Sequence, residues 1–400
     1  MAWAYAIVVA SWLLPAFTDG PAVGQDIAPY LVAGQFVGTH DSLIYTPAES
    51  SFADLPPLFL ERQCELLEPD VPCEAAAVPA VSPPVVLPIA AGLAKLDPEV
   101  ATVLVRLVAA GSLMVGMWQL WVGCADRSPR APAALLATAV CLLPFVSVTL
   151  AYSQSSPLLF ASAALAPAIA AYPAARRWLV GLAAAFWVLA AAFKVFPVLL
   201  VALCIKRRWW LGVGLAGALG AALLAATVAM VPLSLFGDYL AASRASAELV
   251  VDVRYDLSVQ SLVHTVWPDV PDALDLVVLV VLMAGVVALW HRMEDQLDPA
   301  TEWAFLSYGI MLAMPLLWWH YAIVGLILLG RTAAATEFRG SLPLVLPICA
   351  ALCTFVAQHS PVDLAPRTLA VAGMWALLLG CAHLLRSTSS HRRAGESASI

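Results

Sequence analysis

Charge is what this sequence has least of. Only 12% of its 400 residues are charged, against roughly 25% in soluble globular domains. Hydrophobic residues make up 62% of the chain, and the mean hydropathy is +0.87. A soluble fold is excluded, and the chain reads as an integral membrane protein. Strict alternation of apolar and polar residues is also missing, so an outer-membrane type of β-barrel is excluded and helical spans are expected. The net charge of −7 gives no electrostatic footprint for a nucleic acid. Lysine is scarce: Lys95, Lys194 and Lys206 are the only ones among twenty basic residues. No Cys or His spacing resembles a zinc site, no acidic cluster demands a metal, and no cofactor is expected.

Cysteine falls into two groups. Cys124, Cys141, Cys204, Cys349, Cys353 and Cys381 lie in or beside apolar runs and read as small core residues. Cys64 and Cys73 lie in a polar stretch after the first apolar segment. If that stretch is extracytoplasmic, disulfides persist there, and a Cys64–Cys73 bridge is the expectation.

Apolar runs recur along the whole length. The first, 2–16, would be only about 22 Å long as a helix, short of a hydrocarbon core of about 30 Å. A signal peptide is the competing reading, but a basic leading region and a small-residue cleavage site are lacking. A short first membrane helix is preferred. Further spans are expected near 100–123, 132–151, 157–175, 178–193, 196–205, 209–233, 273–290, 302–317, 321–330, 342–358 and 369–385, which makes about twelve crossings. Two pairs are short and broken by polar tips, at Lys194-Val-Phe-Pro197 and Trp318-Trp-His-Tyr321. Interrupted pairs of this kind line cavities, because unpaired backbone groups cannot face lipid.

The short-loop cations set the orientation. Arg127, Arg130, Arg176, Arg177, Lys206 to Arg208, Arg292, Arg331, Arg339, Arg386, Arg392 and Arg393 fall on one side, which is therefore read as cytoplasmic. Two long acidic loops, 17–98 and 234–271, fall on the other side, and short interfacial helices are expected in the first. Residues 1–385 are read as one transmembrane domain and 386–400 as a disordered cytoplasmic tail.

Chemistry-bearing residues collect on the outer side. Asp26 and Tyr30 follow the first span. Tyr152-Ser-Gln154-Ser-Ser156 ends another. Lys194 interrupts an apolar hairpin, and Arg254, Gln260 and His320 belong to the second loop and the late hairpin. A carboxylate at the mouth of a membrane protein is costly unless used or paired. Asp26 is read as a general base, with a solvated loop aspartate as the alternative. Lys194 either snorkels to the interface or meets a phosphate. His320 either belongs to an aromatic belt or joins the same site, and Arg254 either forms a surface ion pair or does likewise. A carboxylate facing two or three cations suits transfer from a lipid phosphate: the cations offset charge on the departing phosphate, and the carboxylate takes a hydroxyl proton.

These residues carry a family resemblance. Asp26-Ile-Ala-Pro-Tyr30-Leu-Val-Ala33-Gly34, followed by Ile44-Tyr45, resembles the first-loop motif of the polyprenol-phosphate-mannose-dependent mannosyltransferases of glycosyltransferase family 87, which have the GT-C membrane fold. Ser82-Pro-Pro-Val85 is similar to that family's Y-P-P-L segment, and Ser153-Gln154-Ser-Ser156 to its G-Q-x-N/S segment. Lys194-Val-Phe-Pro197-Val-Leu-Leu, Val259-Gln260-Ser-Leu262 and His320-Tyr321 resemble its later motifs. Ser82 stands where the family has Tyr, Ser153 where it has Gly, and Val259 where it has Asn.

The resemblance implies a multi-pass GT-C glycosyltransferase in the cytoplasmic membrane, with its active site facing outward. It would move a hexose, mannose in the family, from a polyprenyl-phosphate donor to a hydroxyl of a glycolipid or glycan, inverting the anomeric centre. Asp26 matches the family's catalytic aspartate. Lys194, His320 and Arg254 are expected at the donor phosphate, and Tyr30, Gln154 and Gln260 at the sugar or lipid. The rival reading is a flippase for lipid-linked sugars, which needs the cations but no base.

Overall fold

The computed structural model describes residues 23, 26–46, 55–67, 78–80, 82–125, 149–150, 155–170, 177–250, 257–314, 317, 324–335 and 364–398. Among them there is no strand, and the protein is an all-α membrane protein. Among the described residues, four helices are long and apolar enough to cross a bilayer: Pro98–Gln119, Trp210–Met230, Ala273–His291 and Arg367–Arg386. The expected spans at 2–16 and 342–358, and all of 132–151 but residues 149–150, lie outside the described residues.

The membrane part begins with α4, Pro98–Ala125, and continues through α5, Ser156–Ala170, and α6, Arg177–Phe193. A 3₁₀ turn at Phe196–Leu200 then leads into α7, Val201–Lys206. At six residues α7 is far shorter than a bilayer crossing. Pro197 is the cause, since it lacks an N–H and cannot continue the α-helix from α6. The long helix α8, Trp210–Met230, follows. Later come α11, Asp272–His291, α12, Pro299–Ala313, α13, Gly325–Ala335, and α14, Leu364–Ala398.

Helix α12 is the axis of the core. Every residue from Ala300 to Ala313 is buried, as expected of a helix apolar all round. Asp298 starts it: its carboxylate accepts from the amides of Ala300 and Thr301 at 3.0 and 3.2 Å, with Pro299 in the first turn. By contrast α8 and α11 turn almost their whole surface outward, which for helices this apolar is the lipid side. Helix α14 stays helical past Arg386 into the tail expected to be disordered. The membrane segment supplies the helix nucleus, so the polar residues that follow extend it at the smaller cost of propagation.

A buried ion pair ties the Lys206–Arg208 turn to α12. Glu302 is fully buried, and Arg207 grips it with Nε and Nη2 at 2.8 and 2.9 Å. The Trp290 indole donates to the same carboxylate at 2.7 Å. Beside it, Lys206 contacts Glu294 and lies 4.1 Å over the Trp290 ring. The Lys206 ammonium holds the Glu294 carboxyl below its usual range.

Described parts of the stretches 17–98 and 234–271 form short helices that share packing. The first carries α1, Ala28–Phe36, α2, Pro57–Leu66, and α3, Leu87–Leu93. The second carries α9, Ser234–Val250, and α10, Val259–Val266. Val32, Phe36, Tyr45 and Phe59 share one apolar cluster with Val231, Leu235 and Ala242. Tyr45 meets Tyr239 edge to face at 5.4 Å.

Candidate functional site

Helix α1 has Pro29 in its first turn. Asp26 lies just before it, where the partial positive charge of a helix N-terminus favours an anion. Tyr30 stands in the first turn of the helix itself. Both line a cavity of about 380 Å³. Its lining also includes Val86, Ile89 and Ala90 in and just before α3, Leu104 and Val108 of α4, Leu158 of α5, and Leu189, Phe193 and Lys194 at the end of α6. Asp26, Tyr30, Ser155 and Lys194 are the polar residues in an otherwise apolar lining. Leu104 and Val108 of α4 line the cavity and are 44% and 48% exposed.

Val78 and Pro79 complete the rim. They are held by Gln63, a buried side chain whose amide donates to Val78 O at 2.8 Å and accepts from Val78 N at 3.1 Å. Its neighbour Cys64 is disulfide-bonded, while Cys73 lies outside the described residues.

Lys194 sits where α6 ends. Its own amide makes the last helical bond, to Ala190 O at 2.8 Å. The Trp187 indole donates to Pro197 O at 2.8 Å and is itself packed on Trp303, so the turn that carries the lysine is braced from inside the bundle. On the loop side the Tyr30 ring meets Phe193 edge to face at 5.6 Å. Tyr30 Oη and Ser82 Oγ are 2.6 Å apart, and Ser82 Oγ donates to Phe193 O at 3.2 Å. Tyr45 donates to Ser82 O at 2.7 Å, and burial pushes its phenol well above the ordinary range.

The expected site residues therefore divide. Asp26, Tyr30 and Lys194, 168 residues apart at the extremes of their numbering, come together in one cavity. Gln260 does not line it. It is 2% exposed in the first turn of α10, and neither amide atom has a hydrogen-bond partner. An unsatisfied buried amide costs about 1–3 kcal/mol. The segment before Gln260 is tied to the late hairpin by Leu257 N donating to Leu317 O at 2.7 Å. Gln154, Arg254 and His320 lie outside the described residues.

Three polar residues that matter here were not singled out from the sequence. Ser155 carried a signal, being next to Gln154 in the same motif. Arg106 is 4% exposed within α4, and the signal was a lone cation in an apolar span. Arg367, 6% exposed, donates to Ser261 and to Thr265 Oγ1, bracing α10 from α14. It had no sequence signal beyond being a cation near a helix start. Among the described residues no group of three or more His, Cys, Asp or Glu side chains could hold a metal.

The arrangement puts a carboxylate, a phenol and an ammonium in one mostly apolar cavity. That set can take a proton from a hydroxyl and hold an anion in the same space. The model described as Glycosyltransferase family 87 matches residues 81–318, more than half of the chain. Ser82, Lys194 and Gln260 fall within that span, and Asp26 and Tyr30 precede it. No curated protein matches the sequence.

Proposed function

The chain belongs to glycosyltransferase family 87, and from that premise we propose that it moves a hexose, mannose by the resemblance of its motifs, from a polyprenyl-phosphate donor to a hydroxyl of a glycolipid or glycan on the outer face of the cytoplasmic membrane. The observation that supports this reading best is the shared cavity of Asp26, Tyr30 and Lys194, with an otherwise mostly apolar lining that includes the half-exposed Leu104 and Val108 of α4. A lipid-linked donor has a long hydrocarbon tail and one anionic group next to the sugar. Such a cavity offers apolar surface to the first and a cation to the second.

The reaction is a single displacement. The acceptor oxygen forms a bond to the anomeric carbon as the bond from that carbon to the phosphate oxygen breaks, and the configuration inverts. Asp26 takes the acceptor proton as the bond forms. The leaving polyprenyl phosphate gains a negative charge, which Lys194 offsets, with His320 and Arg254 as further phosphate partners. Tyr30 and Gln154 hold sugar or lipid groups, and Gln260, which does not line the cavity, is given no contact in it. A compact ammonium suits this role, since it meets phosphate oxygens as a point charge.

The test is Asp26→Asn in purified protein with a synthetic polyprenyl-phosphate mannose. Asn keeps the size but accepts no proton. Turnover should fall by at least about a hundredfold, the low end for a general base, while donor binding and melting temperature hold. Near-normal turnover in the folded variant ends the catalytic assignment. Coupled flux of lipid-linked sugar across sealed vesicles would then favour the transporter.

A further inference from the structure

We propose that Ser82 is a positioning residue that fixes the spacing of the Asp26 and Lys194 sides of the cavity and sets Tyr30 to accept a hydrogen bond from a substrate hydroxyl. The inference rests on the catalytic reading above and deepens it. It begins with a defect in α6. The carbonyl of Phe193 would ordinarily accept from the amide four residues on, which is Pro197 and has no N–H. An orphan carbonyl in a water-poor place needs a donor. Ser82, 1% exposed and distant in sequence, supplies it at 3.2 Å.

A serine hydroxyl has one proton and two acceptor lone pairs. Its proton is used on Phe193 O, so in the 2.6 Å contact with Tyr30 the phenol is the donor. The chain of bonds has one direction: Tyr30 O–H to Ser82 O–H to the Phe193 carbonyl. Any further hydrogen bond made by the Tyr30 oxygen is therefore one that it accepts. A phosphate diester in the donor has only acceptor oxygens and finds no partner in Tyr30, whereas a sugar or acceptor hydroxyl does. Lys194 and Tyr30 thus divide the cavity between the anion and a hydroxyl. Tyr45, which donates to Ser82 O at 2.7 Å, anchors the serine.

The same bonds fix distance. Tyr30 follows Asp26 by four residues, and Phe193 directly precedes Lys194. Ser82 touches both Tyr30 and Phe193 by hydrogen bonds. A misplacement of about 1 Å in reacting groups can cost on the order of a hundredfold in rate.

The experiment measures kcat and donor KM for Ser82→Ala, Ser82→Thr, Tyr30→Phe and the Ser82→Ala/Tyr30→Phe double variant, beside Asp26→Asn. Ser82→Ala should lower kcat by about ten- to a hundredfold while donor KM changes by less than about threefold. Ser82→Thr keeps the hydroxyl and should recover most of the rate. In the Tyr30→Phe background, Ser82→Ala should cost less than about threefold more, because the link is already broken. Wild-type kcat in Ser82→Ala with an inactive Asp26→Asn overturns the positioning role and leaves the catalytic reading standing. Activity in both variants overturns the catalytic reading itself. If Ser82→Ala melts at a clearly lower temperature, Tyr30→Phe decides alone, since it cuts the same chain and leaves Ser82 on Phe193. An unchanged kcat there overturns the inference, as does full multiplication of the two single losses in the double variant.

Discussion

A single methyl at Gly34 should disturb the site from outside it. A Cβ on Gly34 would lie 2.3 Å from Ala90 O and 2.5 Å from Ala90 C. Ordinary contact between a carbon and a carbonyl oxygen is at least about 3.3 Å, so α1 and α3 must separate by roughly 1 Å. The obstruction is backbone and cannot swing aside as a side chain would. Ala90 also lines the cavity, and α1 carries Tyr30 directly behind Asp26. Separating these helices moves one wall relative to another. Overpacking of this kind costs about 1–3 kcal/mol, and the displacement should lower turnover by on the order of a hundredfold. Gly92→Ala is the matched control: it lies at the end of the same α3, and an added Cβ there meets nothing within 4 Å. That variant should be neutral, or gain about 0.4–1 kcal/mol from the stiffer unfolded chain. The assay pairs transfer from a synthetic donor with the melting temperature in one detergent. Wild-type turnover and melting in Gly34→Ala would show that the α1–α3 crossing does not set the site.

Two further predictions follow from the cations. Arg207→Leu strands the fully buried Glu302 with only the Trp290 indole, and should destabilise the protein by about 3 kcal/mol, the low end for a broken buried pair because Arg207 is a third exposed. Replacing both Arg207 and Glu302 by Leu should restore most of that loss in denaturation measurements, and a double variant as unstable as the single would refute the pairing argument. Lys194→Gln should weaken donor binding by about ten- to a hundredfold, the range of one charge-assisted hydrogen bond. Lys194→Arg should rescue only in part, since a planar guanidinium is longer than an ammonium. Unchanged affinity in equilibrium binding of a labelled donor returns Lys194 to an interfacial anchor.

Some of this was legible in the order of residues alone. A chain with so few charges has no means of covering a soluble core, so the membrane class follows from composition. Pro197 ends α6 for a local reason, its missing N–H, and the break near Lys194 could be read without coordinates. Asp26 and Tyr30 were read together because they stand four residues apart in one motif. The motifs carried the family, and the family model matches residues 81–318, which takes in the middle motifs but not the one at Asp26–Tyr45 or the one at His320-Tyr321.

What the tertiary structure alone decided lies between distant segments. Ser82 reaches Tyr30 across 52 positions and Phe193 across 111, and no periodicity encodes a contact of that range. From sequence, Ser82 was only a departure from a motif. In the fold it is the donor that answers the carbonyl left over by Pro197. Likewise Glu302 reads as an ordinary first-turn acid, and only the packing of α12 at the centre shows it to be fully buried and held by Arg207. Apolar residues declare their preference for the interior or for lipid locally. Which buried polar group answers which orphan depends on how the helices are stacked, and that is a property of the assembled chain.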